Sequence, residues 1–309
     1  MAADAFRTGP DLPGCDAGID SSSEPGPRTS SWRLPGHELS LDRPTVMGIL
    51  NVTPDSFWDG GQYDDVSAAV ARARELVAGG ADILDIGGES TRPGARAVPA
   101  DQEAARVVPV VRACTKRWPD LAVSVDTVKS EVAAAAMDAG ATVVNDVSGF
   151  RLDPALASLC ARRGAGVVLM HSRGSIEEMA SYQTATYGND PVGEVVAELA
   201  AAAERAMAAG VAREAIVLDP GLGFSKRTEH SVACLRELGR IVDLGFPVLL
   251  GPSRKRFIGE LAGGVPAGQR LPGTIAACVT GWLTGARLFR VHDPGPVRQA
   301  LHVALSIAG

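Results

Sequence analysis

From Pro44 onward, short β-branched runs alternate with longer alanine-rich stretches of helical period. The runs predict strands at 45–50, 82–86, 122–125, 142–145, 166–170, 215–218, 247–250 and 287–291. Helices are expected between them, including 65–78, 101–117, 130–139, 191–209 and 229–244. Gly80, Gly140, Gly164, Gly210, Gly245 and Gly285 stand where a left-handed residue would close a helix before the next strand. This alternation predicts a parallel sheet inside a helical shell. A doubly wound sheet alternates in the same way, but eight units in about 265 residues favour closure into a (β/α)8 TIM barrel, an α/β fold.

The first residues break the pattern. Residues 1–31 are rich in Gly, Pro, Ser and Asp without apolar periodicity, which predicts a disordered extension ahead of a barrel domain at 32–309. The extension has no apolar core of a secretory signal, and Asp4, Asp11, Asp16, Asp20 and Glu24 argue against an acid-poor transit peptide. Residues 32–41 are expected to form a short hairpin covering the closed end of the barrel. The longest uncharged stretch, 271–286, is too short for a bilayer and reads as a buried helix.

Composition narrows the partners. A net charge of −6 gives no basic face for nucleic acid or an anionic membrane. The five cysteines are scattered without a CxxC pair, which fits a reducing, cytoplasmic setting.

Polar groups gather just past the strands. Asn51 follows the first and Gly87 to Arg92 the second, while Asp126 follows the third. Asn145 and Asp146 end the fourth, His171 follows the fifth and Asp219 the sixth. The seventh leads into Ser253, Arg254 and Lys255, and Arg290 and His292 lie at the eighth. In a barrel these tips converge on one mouth, where active sites lie. Zinc-ligand spacing, HExxH, GxSxG and a P-loop are all absent. Asp126 and Asp219 at buried strand ends would be costly without a ligand. As a glycosidase pair they would lack aromatic platforms and be crowded by cations. Carboxylates with amides suit an aminated planar heterocycle, whereas Arg, Lys, Ser and Thr suit phosphate oxygens. Asn51 is a possible oxygen ligand for Mg2+. Blander roles are open for several residues: a salt bridge for Lys255, a helix cap for Asn145, packing for His171 and loop bracing for Glu89.

The motif strings go further. Residues 47–57 (MGILNVTPDSF) and 85–94 (DIGGESTRPG) resemble two signatures of the dihydropteroate synthases. The likeness continues through Ser124–Thr127, Asn145–Gly149, Met170-His171, Asp219–Phe224, Ser253–Lys255 and Arg290–Asp293, in that family's order. The resemblance implies condensation of a dihydropterin methyl diphosphate with 4-aminobenzoate, releasing diphosphate. It implies that Asp126, Asn145, Asp219 and Lys255 hold the pterin, with Met170 beside it and Arg290 stacked on it. It further implies that Asn51, Thr91, Arg290 and His292 surround the diphosphate and its Mg2+. Thr91, Arg92, Pro93, Phe224 and Ser253 would shape the 4-aminobenzoate site, where sulfonamides compete in this family. Phe57 and Asp59 would lie on a mobile loop, and Lys255, Arg290, His292 and Asp126 would carry the chemistry. A homodimer is expected on the same ground. Trp58, Ser231-Val232, Pro294 and Ser172–Ser175 depart from the family's pattern. They leave open a weakly active or inactive paralogue that binds pterin, and a pterin-binding methyltransferase domain is the other rival.

Overall fold

The computed structural model describes residues 30–53, 62–90 and 97–308. Most of the expected disordered extension, together with Phe57, Trp58, Asp59, Thr91, Arg92 and Pro93, lies outside the described residues. Strands β1 (Ser31–Leu34) and β2 (His37–Ser40) form an antiparallel hairpin. Eight parallel strands follow: β3 (Thr45–Asn51), β4 (Ile83–Gly87), β5 (Ala122–Asp126), β6 (Val143–Asp146), β7 (Gly166–Met170), β8 (Ile216–Asp219), β9 (Leu249–Leu250) and β10 (Leu288–Val291). Each pairs with the next, β10 pairs with β3, and the Leu218 N–H donates to the Pro247 carbonyl at 2.9 Å, which closes the barrel between β8 and β9. The seventh strand is shorter than its hydrophobic run because Pro247 has no N–H to give a ladder.

The shell consists of α1 (Gln62–Ala78), α2 (Ala100–Arg117), α3 (Ser130–Asp138), α4 (Ala155–Arg163), α5 (Ile176–Met179), α6 (Pro191–Ala208), α7 (Thr228–Arg236), α8 (Leu238–Val242), α9 (Arg256–Leu261), α10 (Leu271–Leu283) and α11 (Pro294–Ala308). The six glycines expected to close helices all have positive φ, from 62° at Gly164 to 112° at Gly285. Two expectations need correction. The single helix predicted at 229–244 is two helices, because the backbone at Glu237 (φ −105°, ψ 28°) leaves helical geometry just before the poor helix former Gly239. The stretch 271–286 is not a buried helix: in α10, Thr274, Cys278 and Trp282 face inward, while Leu283 is 60% exposed. Its high hydropathy reflects an apolar outer face. No helix among the described residues is long and apolar enough to cross a membrane.

Side chains inside a barrel alternate along each strand, so they stack in rings. The lowest ring is wholly apolar: Met47, Ile83, Ala122, Val143, Val168, Val217, Leu249 and Leu288, one from each strand. Trp32, Leu34 and Leu41 of the hairpin segment cap it. Trp32 is fully buried and its indole N–H donates to the Ala215 carbonyl at 2.8 Å, so the hairpin plugs the closed end. Two residues further along each strand the ring turns polar.

Candidate active site

That second ring consists of Ile49, Asp85, Ser124, Asn145, Met170, Asp219, Gly251 and Arg290. Above it opens a cavity of about 490 Å3 at the carboxyl ends of the strands. Asn51, Asp126, Asn145, Met170, Asp219, Phe224, Ser253, Lys255, Arg290 and His292 all line it, whereas Asp146, also expected at a strand tip, turns away and holds the Ser148 and Phe150 N–H groups.

Arg290 organises the floor. Its Nε donates to Asp85 Oδ2 at 2.6 Å and its Nη2 to Asp126 Oδ2 at 2.5 Å. Asn145 Nδ2 donates to the same Asp85 oxygen at 3.1 Å, which orients its amide and rules out a helix-capping role. Asp85 is fully buried, and sequence reading did not place it in the site. Its signal was an ionisable residue in the middle of the apolar run Ile-Leu-Asp-Ile-Gly, at even spacing from the inward Ile83. Such a residue needs a buried partner.

Burial raises the Asp126 carboxyl above its usual range, with Asp85 adding to the effect and Arg290 opposing it. The paired guanidinium rises in turn, because Asp85 and Asp126 outweigh its loss of solvent. Burial likewise pushes Asp219 up to about 6, against the Gly221 N–H that donates to its Oδ1 at 2.7 Å. Lys255 is pushed down to about 7 by burial and by the nearby Arg290. It makes no ion pair among the described residues. Its ammonium instead lies 3.5 Å from the centre of the Phe224 ring. Two carboxyls pushed up and a lysine pushed down in one cavity make these residues candidates for chemistry.

The two loops bearing the remaining cations are stapled together. Ser253 Oγ accepts the His292 backbone N–H at 3.1 Å and lies 2.9 Å from His292 Nδ1. Ser253 Oγ and His292 Nδ1 thus share one hydrogen, whose donor is set by the imidazole tautomer. Arg254, with a left-handed φ of 57°, is held by both oxygens of Asp293 at 2.7 and 2.9 Å. It therefore braces the turn that presents Ser253 and Lys255. Glu89 braces the second loop: its carboxylate accepts the Val98 N–H and pairs with Lys129 at 3.0 Å. His171 is buried, and the cavity lining does not include it.

A flat ring rich in N–H groups fits the Asn145 and Asp219 side, and an anion fits the Ser253, His292 and Arg290 side. The chain belongs to the family of pterin binding enzymes, whose model matches residues 47–292. Several relatives are dihydropteroate synthases, and others are described as inactive ones. The dihydropteroate synthase from Synechocystis sp. is 42% identical over 262 residues, 85% of this chain and 89% of the relative. A Mycobacterium leprae protein described as inactive dihydropteroate synthase 2 is 41% identical over 280 residues, 89% of this chain and 94% of its own length. Among solved structures, Xanthomonas albilineans dihydropteroate synthase with 4-aminobenzoic acid has a TM-score of 0.83 and 44% identity, covering 91% of this chain and 98% of that one. Identity alone does not separate active from inactive relatives. The chemistry of the pocket has to.

Proposed function

We propose that the chain is an enzyme that condenses (7,8-dihydropterin-6-yl)methyl diphosphate with 4-aminobenzoate, giving 7,8-dihydropteroate and diphosphate. The observation that carries this reading is the division of one cavity into a ring-recognition side and an anion side that meet at Lys255 and Arg290. On the first side, ionised Asp219 accepts two parallel N–H bonds from the aminated edge of the pterin, and Asn145 completes that edge. Arg290, clamped by Asp85 and Asp126, presents its planar face to the ring. On the second side, Asn51, Arg290 and His292 surround the diphosphate. The C–O bond to the diphosphate breaks, the arylamine nitrogen forms the new C–N bond, and the ammonium so formed loses its proton to solvent. An arylamine is nucleophilic near neutral pH, so no strong base is required. Phe224 and Ser253 border the arylamine, and Lys255 stands between the two substrates.

Mg2+ is the proposed cofactor. Among the described residues no group of three His, Cys, Asp or Glu side chains could cage a metal. Asn51, which lines the cavity, offers one protein oxygen to an ion that keeps several waters and takes substrate phosphates. When bound, it would neutralise charge on the departing diphosphate.

We further propose a homodimer through the outer faces of α10 and α11. Ile275, Val279 and Leu283 on α10 and Val303 and Ile307 on α11 line an apolar groove, and Leu283, Val303 and Ile307 are 60, 55 and 80% exposed. Apolar patches of this kind mark association surfaces. The four described cysteines are free and buried, which accords with a cytoplasmic setting.

Turnover of the two substrates with Mg2+, followed by diphosphate release and by mass of the product, tests the reading. Tight pterin binding without product would instead favour a non-catalytic paralogue, a second reading kept open by the similarity to the M. leprae protein.

A further inference from the structure

Behind the pocket wall lies a second cation that the reaction above does not use. Lys226 is 1% exposed, and among the described residues no carboxylate pairs with it. Its ammonium lies 2.7 Å from His171 Nδ1 and donates to the Phe224 carbonyl at 3.3 Å. Nδ1 is thus the acceptor, and the ring proton sits on Nε2, which is 3.0 Å from Glu198 Oε2 but off the hydrogen-bonding axis. His171 is itself buried, and burial and the neighbouring Lys226 push it down to about 4, so it stays neutral. A lysine this deep is a cost to the fold, since an apolar side chain of the same length would fill the space without desolvating a charge. Met would supply that volume, but not the two hydrogen bonds.

Those bonds act on a particular segment. The chain from Asp219 to Lys226 turns back on itself, with Gly221, Gly223 and Ser225 at positive φ and the Phe224 N–H donating to the Gly221 carbonyl at 3.0 Å. Asp219 holds the start of the turn through the Gly221 N–H. Lys226 holds its end by gripping the Phe224 carbonyl, and the Phe224 ring is the one that lies under the Lys255 ammonium. The same end is tied to the loop after β7: Tyr187 Oη donates to the Ser225 carbonyl at 2.9 Å, and the Arg173 N–H to Ser225 Oγ at 2.8 Å.

We propose that Lys226, seated on His171, is a positioning residue that sets the arylamine side of the pocket by fixing where the Phe224 ring meets Lys255. The inference rests on the activity proposed above and concerns one wall of that site. It separates the two substrates, because the ring-recognition side (Asn145, Asp126, Asp219 and Arg290) has its own anchors.

Steady-state kinetics of the full chain, with each substrate varied in turn, tests it on Lys226→Met and His171→Phe, alongside thermal melting. The expected result for Lys226→Met is a KM for 4-aminobenzoate raised roughly tenfold, the scale of one displaced aromatic contact. The KM for the pterin diphosphate should stay within about threefold and the melting temperature should be unchanged or higher. His171→Phe, which removes the acceptor but keeps a ring, should give the same split at smaller size. Unaltered KM values in both variants overturn the inference, and so do parallel losses for both substrates. Collapse of both variants also overturns it, because the pair would then serve the fold as a whole. Wild-type turnover is the control: its absence defeats the proposed activity, whereas normal wild-type turnover with unshifted variants defeats only this inference.

Discussion

Replacing Asp85 with Asn asks whether the pocket floor is built as the geometry indicates. The substitution keeps size and one acceptor oxygen but removes the charge facing Arg290 Nε at 2.6 Å. Breaking a buried ion pair outright costs about 3–5 kcal/mol, most of it from stranding the remaining charge. Arg290 is not stranded, because Asp126 still takes its Nη2, and the new amide oxygen can still accept from Nε or from Asn145. The expected loss is therefore smaller, about 2–3 kcal/mol, between one charge-assisted hydrogen bond and a whole pair. For a domain of this size, about 2–4 °C per kcal/mol makes that a fall in melting temperature of roughly 4–12 °C. Function should suffer separately. Held at one point rather than two, Arg290 can swing toward Asp126 and lose its fixed plane. The KM for the pterin diphosphate should then rise on the order of tenfold, while that for 4-aminobenzoate changes little. Differential scanning fluorimetry and two-substrate kinetics read both effects. If the melting temperature and the pterin KM both match wild type, Asp85 is not the anchor and the account of the floor is wrong. A double-mutant cycle with Arg290→Gln should show a coupling energy above about 1 kcal/mol if the contact is the cause.

For kcat/KM of the pterin diphosphate, the acid limb should lie near pH 6 to 7, because Asp219 is raised from 3.8 to about 6 and Asp126 to about 7 and each loses its carboxylate as pH falls through that value; Asp219→Asn should leave only the Asp126 step. The same raised value means that ionised Asp219 opposes folding, so this group's contribution to stability falls as pH rises from about 4 to 6. The alkaline limb should lie near pH 7, where the lowered Lys255 gives up its proton, and Lys255→Met should remove it along with most activity. Trp32→Ala empties a fully buried site and removes the bond to Ala215, so about 3–5 kcal/mol of stability should be lost in urea titration with both KM values intact, because the hairpin is at the opposite end from the mouth. Ile307→Glu puts a charge on the 80% exposed residue of the α11 face, and light scattering should report a monomer if that face associates.

The parts of this molecule legible in the sequence were those set by local chemistry. Strand and helix alternation comes from β-branched against alanine-rich composition, and all six helix-closing glycines were found from position alone. The hairpin expected at residues 32–41 was placed at the closed end correctly. The strand tips were legible too, because a polar residue after an apolar run marks where the sheet meets the mouth. Contacts between segments distant in sequence were not. Arg290 and Asp85 are 205 residues apart, and the Lys226 and His171 pair is 55 apart, so no window along the chain brings them together. The split of the 229–244 stretch and the exposed face of α10 escaped for a related reason: hydropathy records how apolar a helix is, not what covers it.

The ring arithmetic of the barrel shows why the tips alone understated the site. Alternation puts every second residue of a strand inside, so a polar residue at the tip and one two positions deeper both face the lumen. On β5 that pair is Asp126 and Ser124, and on β4 it is Gly87 and Asp85. Registry then sets Asp85 beside Ser124 and Asp126 beside Asn145, which builds a polar floor two rings thick above a wholly apolar one. A carboxylate at that depth is tolerable only because β10 delivers Arg290 to the same level, and Arg290 in turn holds its plane only because two carboxylates flank it. Recognition and folding are therefore coupled at one guanidinium. Substitutions in the apolar ring should change stability and spare the kinetics, whereas any change to the Asp85, Asp126 and Arg290 trio should move both at once.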